Sequence, residues 1–138
     1  MMEAAVLLDA EGNPLHWHAP KDRTVVSLPD SSDLWGAIWK RRDLAAALAH
    51  THPGRGLTGP SGTDMTTFDA IERGLGKALI WLIATEDRLV RVRRVRLDGP
   101  RAHPELRWLT EEDTTFPRPL WIPRLRELSY GSKEQENG

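Results

Sequence analysis

The chain has 138 residues, with 19 Lys and Arg against 20 Asp and Glu, for a formal net charge of −1. This length predicts one domain with a modest layered core, and the balanced charge argues against general affinity for nucleic acid or an anionic membrane. With no cysteine in the sequence, disulfides, thiolate metal sites and a cysteine nucleophile are excluded, and the composition agrees with a reducing, cytoplasmic setting.

Glu3 to Asp9 reads as a buried strand. Its apolar run, Ala4 to Leu8, is too short and lacks the basic start of a signal peptide, and no run in the chain approaches membrane-spanning length. Asp9 to Pro14 carries turn chemistry, and Leu15 to Ala19 reads as the returning strand of a hairpin. Pro20 to Arg23 is a loop, and Thr24 to Leu28 a short β-branched strand. Pro29 to Asp33 holds cap residues. Leu34, Trp35, Ile38 and Trp39 then recur at helical spacing, with Lys40, Arg41 and Arg42 at the helix's negative end. Both tryptophans are expected in the core.

Leu44 to Ala49 is an apolar run that ends in His50-Thr51-His52-Pro53. If the run is a strand, the two imidazoles leave it on one face, and Pro53 stops it. A glycine-rich loop, residues 54–60, leads to Ser61-Gly62-Thr63-Asp64. Ser61 opens a helix in which Met65, Phe68, Ile71 and Leu75 share a face, ended by Gly74 and Gly76. Taken alone, Ser61 and Asp64 fit a helix start, and the histidines fit a polar strand end. Lying one short loop apart, they can aim two neutral imidazoles and one carboxylate at a single point. That is a three-ligand metal site with a fourth position open. A second pair, His16 and His18, has no proline stop and no Ser-x-x-Asp, and reads as one face of a strand.

Lys77 to Ala84 is a nearly continuous apolar strand, expected at the centre of the sheet. After a turn at residues 85–88, Leu89 to Leu97 sets valines at 90, 92 and 95 against arginines at 91, 93, 94 and 96. The adjacent Arg93 and Arg94 break the alternation and predict a bulge or tight turn. The arginines read as a solvated edge, with a contact surface for an acidic partner as the alternative. Residues 98–104 form a loop and Leu106 to Leu109 a short strand. Thr110 to Asp113 is a helix start or an acidic loop. Pro117, Pro119 and Pro123 predict an extended path on which Leu120, Trp121 and Ile122 cover the core, followed by a short helix at Arg124 to Leu128. Residues 131–138 read as a disordered tail, leaving a single domain over 1–130.

The pattern His50-x-His52-Pro53, seven residues, Ser61-x-x-Asp64 resembles the JAB/MPN domain with its JAMM metalloprotease motif, with nothing inserted or missing. The resemblance is closest over 43–68 and looser over 1–97. It implies an α+β fold, a mixed, mainly antiparallel sheet flanked by helices in a layered arrangement like that of cytidine deaminases. It implies Zn2+ held by His50, His52 and Asp64, with Ser61 donating to the oxyanion and an upstream glutamate as general base. Two glutamates precede the motif. Glu11 lies in a turn, whereas Glu3 starts an apolar strand as the family's glutamate does, so Glu3 is chosen. The family usually has a helix before that strand, so here Glu3 must be held by sheet pairing.

The activity so implied is hydrolysis of an isopeptide or peptide bond after the C-terminus of a ubiquitin-like protein, as in bacterial conjugation or antiphage systems. Three alternatives stand beside it. One is the RadC-like, DNA-associated branch, which shares the turn seen at Leu8 to Asn13. The others are a peptidase that processes sulfur carriers and a non-catalytic scaffold, against which the intact ligand letters count.

Overall fold

The computed structural model describes residues 3–19, 32–52, 54–56, 60, 62–97 and 105–131. Strand β1 (Ala5–Leu8) is buried at every residue, as an apolar run covered on both faces must be. The turn after it is built by Asp9, whose Oδ1 accepts the backbone N–H groups of Glu11 and Asn13 at 2.9 Å each. Gly12 sits at φ 82°, and a Cβ there would lie 2.6 Å from the Pro117 carbonyl oxygen, so only glycine fits. The chain returns as β2 (Pro14–His18), antiparallel to β1.

Helix α1 (Ser32–Lys40) buries Leu34, Ala37 and Ile38. Its two tryptophans depart from expectation: Trp35 is 37% and Trp39 44% exposed. Each lies one residue, about 100° of helix rotation, beyond the buried Leu34 and Ile38. The two rings meet each other at 5.9 Å on the flank of the helix.

Strand β3 (Ala47–Thr51) is wholly buried. Leu44, expected at its start, lies in the preceding turn and is 66% exposed. Helix α2 (Gly62–Leu75) buries Phe68 and Ile71 and ends at Gly76, whose N–H donates to Glu72 O at 2.9 Å. Gly74 remains inside the helix, where its bare backbone accommodates the Trp35 ring: a Cβ would meet it at 2.5 Å.

Strands β4 (Ile80–Ala84), β5 (Leu89–Leu97) and β6 (Glu105–Glu112) and helix α3 (Ile122–Tyr130) complete the described elements. The strands form one six-stranded sheet ordered β2-β1-β3-β4-β5-β6. Only β3 and β4 pair in parallel among them, joined by α2; the other pairs are antiparallel. The fold is thus α+β, a mixed and mostly antiparallel sheet between helices. On one face α1 and α2 bury Leu34, Ile38, Phe68 and Ile71 against Ala5, Leu7, Leu48, Trp81 and Ile83. On the other, Trp121, Ile122 and Leu125 pack on Val6, Leu8, Ala49, Leu82 and Ala84.

Several boundaries differ from the sequence expectations. The β5–β6 register runs without interruption from Val90↔Glu112 to Leu97↔Glu105, so Arg93 and Arg94 mark no bulge. β4 pairs with β5 only from Leu89 to Val92. Beyond that point no third strand among the described residues imposes a period of two. β6 is longer than expected and takes in Thr110, Glu111 and Glu112, neither helix nor loop. β4 starts three residues after Lys77, whose Nζ instead donates to the carbonyls of Arg42 and Ala45. The extended path stops earlier than Pro123, which sits in the first turn of α3, where a missing N–H costs nothing. Trp121 and Ile122 do seal the core, but Leu120 is 61% exposed.

The strand expected at Thr24 to Leu28, its flanking loops, Pro53, Ser61, the loop at 98–104 and the tail beyond Gly131 lie outside the described residues. Among the described residues no helix is long and apolar enough to cross a membrane.

Candidate metal centre

His50 lies in β3 and pairs with Ala5 of β1. Side chains alternate along a strand, so His50 shares the face of Leu48, beneath α2, while Thr51 faces α3. One residue past β3, His52 returns to the α2 side. Asp64 stands in the first turn of α2, where the helix dipole favours a carboxylate. The parallel β3–α2–β4 unit thus delivers the N-terminal end of a helix beside the C-terminal end of a strand.

There the three polar atoms converge. His50 Nε2 lies 3.1 Å from His52 Nε2 and 3.4 Å from Asp64 Oδ2, and His52 Nε2 lies 2.7 Å from Asp64 Oδ2. Ligands about 2.05 Å from a tetrahedral ion are about 3.3 Å apart, so this spacing suits one small cation. His50 is fully buried, Asp64 is 3% and the His52 side chain 12% exposed. Burial pushes the His50 imidazole below its usual pKa, with Asp64 opposing. A neutral ring is the form that donates a lone pair to a metal. Phe68 packs edge-on against His50 at 5.7 Å and stacks on Trp81 at 4.1 Å, so the ring sits on an aromatic floor. His50, His52 and Asp64 are a group that could hold a metal ion. His16 and His18 belong to no such group among the described residues.

Glu3 is brought to the same place by sheet register. Ala5 pairs with His50, and Thr51 N–H donates to Ala4 O at 3.1 Å. Continuing that antiparallel register sets Glu3 opposite His52, on the same face. Glu3 is 1% exposed, and its Oε2 has no hydrogen-bond partner among the described residues. Burial pushes its pKa up to about 7; His52 draws it down and Asp64 adds to the rise. Glu11, in contrast, is exposed in the turn at the other end of β1, where Oε2 lies 3.5 Å from Asn13 Nδ2. Ser61 falls outside the described residues, so its hydroxyl is not placed.

Sequence reasoning missed three supporting residues. Thr51 Oγ1 accepts the Ala4 N–H at 3.0 Å and lies 2.6 Å from Ser129 Oγ. The Tyr130 hydroxyl donates to the carbonyls of His52 and Ala84. Burial pushes that hydroxyl's pKa up to about 12, so it stays a proton donor. Thr51 could have been flagged as a polar letter inside a buried strand, but nothing local points to partners 78 residues away.

No protein-family model matches this chain, and a search of curated proteins finds no match.

Proposed function

We propose that this protein is a zinc-dependent metallopeptidase of the JAMM type that hydrolyses the bond after the C-terminus of a ubiquitin-like protein. The observation that carries the reading is the convergence of His50, His52 and Asp64, with the buried Glu3 beside them, whose Oε2 has no hydrogen-bond partner among the described residues. Two neutral imidazoles and a carboxylate are a donor set suited to zinc. When bound, the ion supplies Lewis acidity that polarises a substrate carbonyl and makes water ionisable near neutral pH.

The chain's own residues supply the rest. Glu3 Oε2 takes the proton of the attacking water and returns it to the leaving amine as the C–N bond breaks. A pKa of about 7 suits a group that must both accept and release a proton near neutral pH. Ser61 keeps the role that the motif gives it, a hydrogen bond to the oxyanion. The absence of cysteine agrees with a reducing, cytoplasmic home.

Nucleic acid is the weaker reading. Two of the exposed cations on and beside β5 are already engaged: Arg93 Nε lies 3.3 Å from Glu111, and Arg88 donates to Glu112 at 2.9 Å. The test is a cleavage assay on a ubiquitin-like protein fused through its C-terminus to a reporter. Zinc-loaded wild type should cut at the junction, and Glu3→Gln should lose about 10²–10⁴-fold while retaining the metal. A Glu3→Gln protein that cuts at the wild-type rate contradicts the role given to Glu3.

A further inference from the structure

Helix α3 lies on the far face of the sheet from the metal centre, packed on β3 and β4. That face is otherwise apolar where it meets Ala49, Ala84 and Leu125. Yet the last turn of α3 sets two hydroxyls against it. Ser129, 5% exposed, lies 2.6 Å from the fully buried Thr51, which also accepts the N–H of Ala4. Tyr130 donates to the carbonyls of His52 and Ala84, and Ala84 O also accepts the His52 N–H at 3.1 Å. One turn earlier, Arg126 donates to the carbonyls of Thr85 and Arg88. That β4–β5 turn in turn grips the loop after His52: Thr85 Oγ1 donates to Gly56 O, Gly56 N–H to Asp87, and Glu86 N–H to Gly54 O.

An apolar pair would cover this face without the cost of desolvating hydroxyls. Ser129 bonds to Thr51, which holds Ala4 beside Glu3, and Tyr130 bonds to His52 and to the Ala84 carbonyl that His52 itself uses. A hydrogen-bonded network of this kind fixes one arrangement where packing alone would permit several. We propose that Tyr130 and Ser129 are positioning residues which, through the sheet, fix the separation between Glu3 and the metal-ligand loop. The proposal rests on the metallopeptidase reading above and adds to it a brace 78 residues away in the chain from the strand end it holds.

The experiment uses the full chain and compares wild type, Tyr130→Phe, Ser129→Ala and Ile122→Val, the last trimming the other end of the same helix. Amide hydrogen exchange at Thr51 and His52 is measured in the metal-free proteins. Zinc affinity is measured by chelator competition, and ligand geometry by the visible spectrum of cobalt(II). Tyr130→Phe should speed exchange at His52, weaken zinc by about tenfold or more and change the cobalt spectrum. Ile122→Val should leave all three at wild-type values. Tyr130→Phe with wild-type exchange and zinc affinity overturns the proposal, as does an equal loss of affinity in Ile122→Val. If wild type takes up no metal, the metallopeptidase reading fails, and exchange at His52 alone decides the brace. If Tyr130→Phe does not fold, Ser129→Ala carries the same comparison.

Discussion

Two buried groups at the site respond to burial in opposite senses. Burial lowers the His50 pKa, with Asp64 opposing, and raises that of Glu3 to about 7. In the unfolded chain Glu3 would release its proton near 4.5. Between those values the folded protein binds more protons at Glu3, so this residue's contribution to stability falls as pH rises, by an amount on the order of 3 kcal/mol. His50 gives the opposite slope, because its folded pKa is depressed. Comparing metal-free wild type with Glu3→Gln therefore isolates Glu3. The two should be similar in urea denaturation near pH 4.5, and the variant should gain steadily over wild type up to about pH 7. A gap that does not change with pH would mean that Glu3 is hydrated in solution.

At the scale of elements, α2 and β4 build the floor of the site. Phe68 stacks on Trp81 and touches the His50 ring, so Phe68→Ala should cost about 3–5 kcal/mol. Denaturant titration measures this, and a loss below about 1 kcal/mol would show that the ring is not packed there. The helix at 62–75 was legible because Phe68 and Ile71 repeat at helical spacing, and the grouping of His50, His52 and Asp64 because each imidazole and carboxylate lies at a fixed offset from a strand end or helix start. Other elements were less legible. Trp35 and Trp39 share a stripe with Leu34 and Ile38, and spacing alone does not say which edge of a wide stripe meets the sheet. Thr110 to Glu112 look like loop residues because the outer edge strand β6 needs no apolar alternation at its solvated end. Tyr130 and Ser129 could not be assigned, since their partners come from long-range docking of α3 and not from any local pattern.

For the whole molecule, the sheet places the strand that carries His50 near the centre and its arginine-rich ribbon at one edge. The ribbon's β5–β6 pairing continues past the last β4 pair at Val92, so it projects from the body of the sheet. Arg93→Glu should cost less than about 1 kcal/mol, because its pair with Glu111 is exposed on both sides. If the ribbon helps to dock an acidic surface of the substrate, the same reversal should slow association and flatten its salt dependence. An unchanged rate and salt dependence would leave the arginines as a solvated edge.

Metal content tests the central claim most directly. Elemental analysis of protein purified from metal-replete cells should find about one zinc per chain in wild type. His52→Ala and Asp64→Ala should lose most of it, while Glu3→Gln should keep it. Wild-type protein that is folded but metal-free, and that takes up no zinc when it is added, would contradict the account.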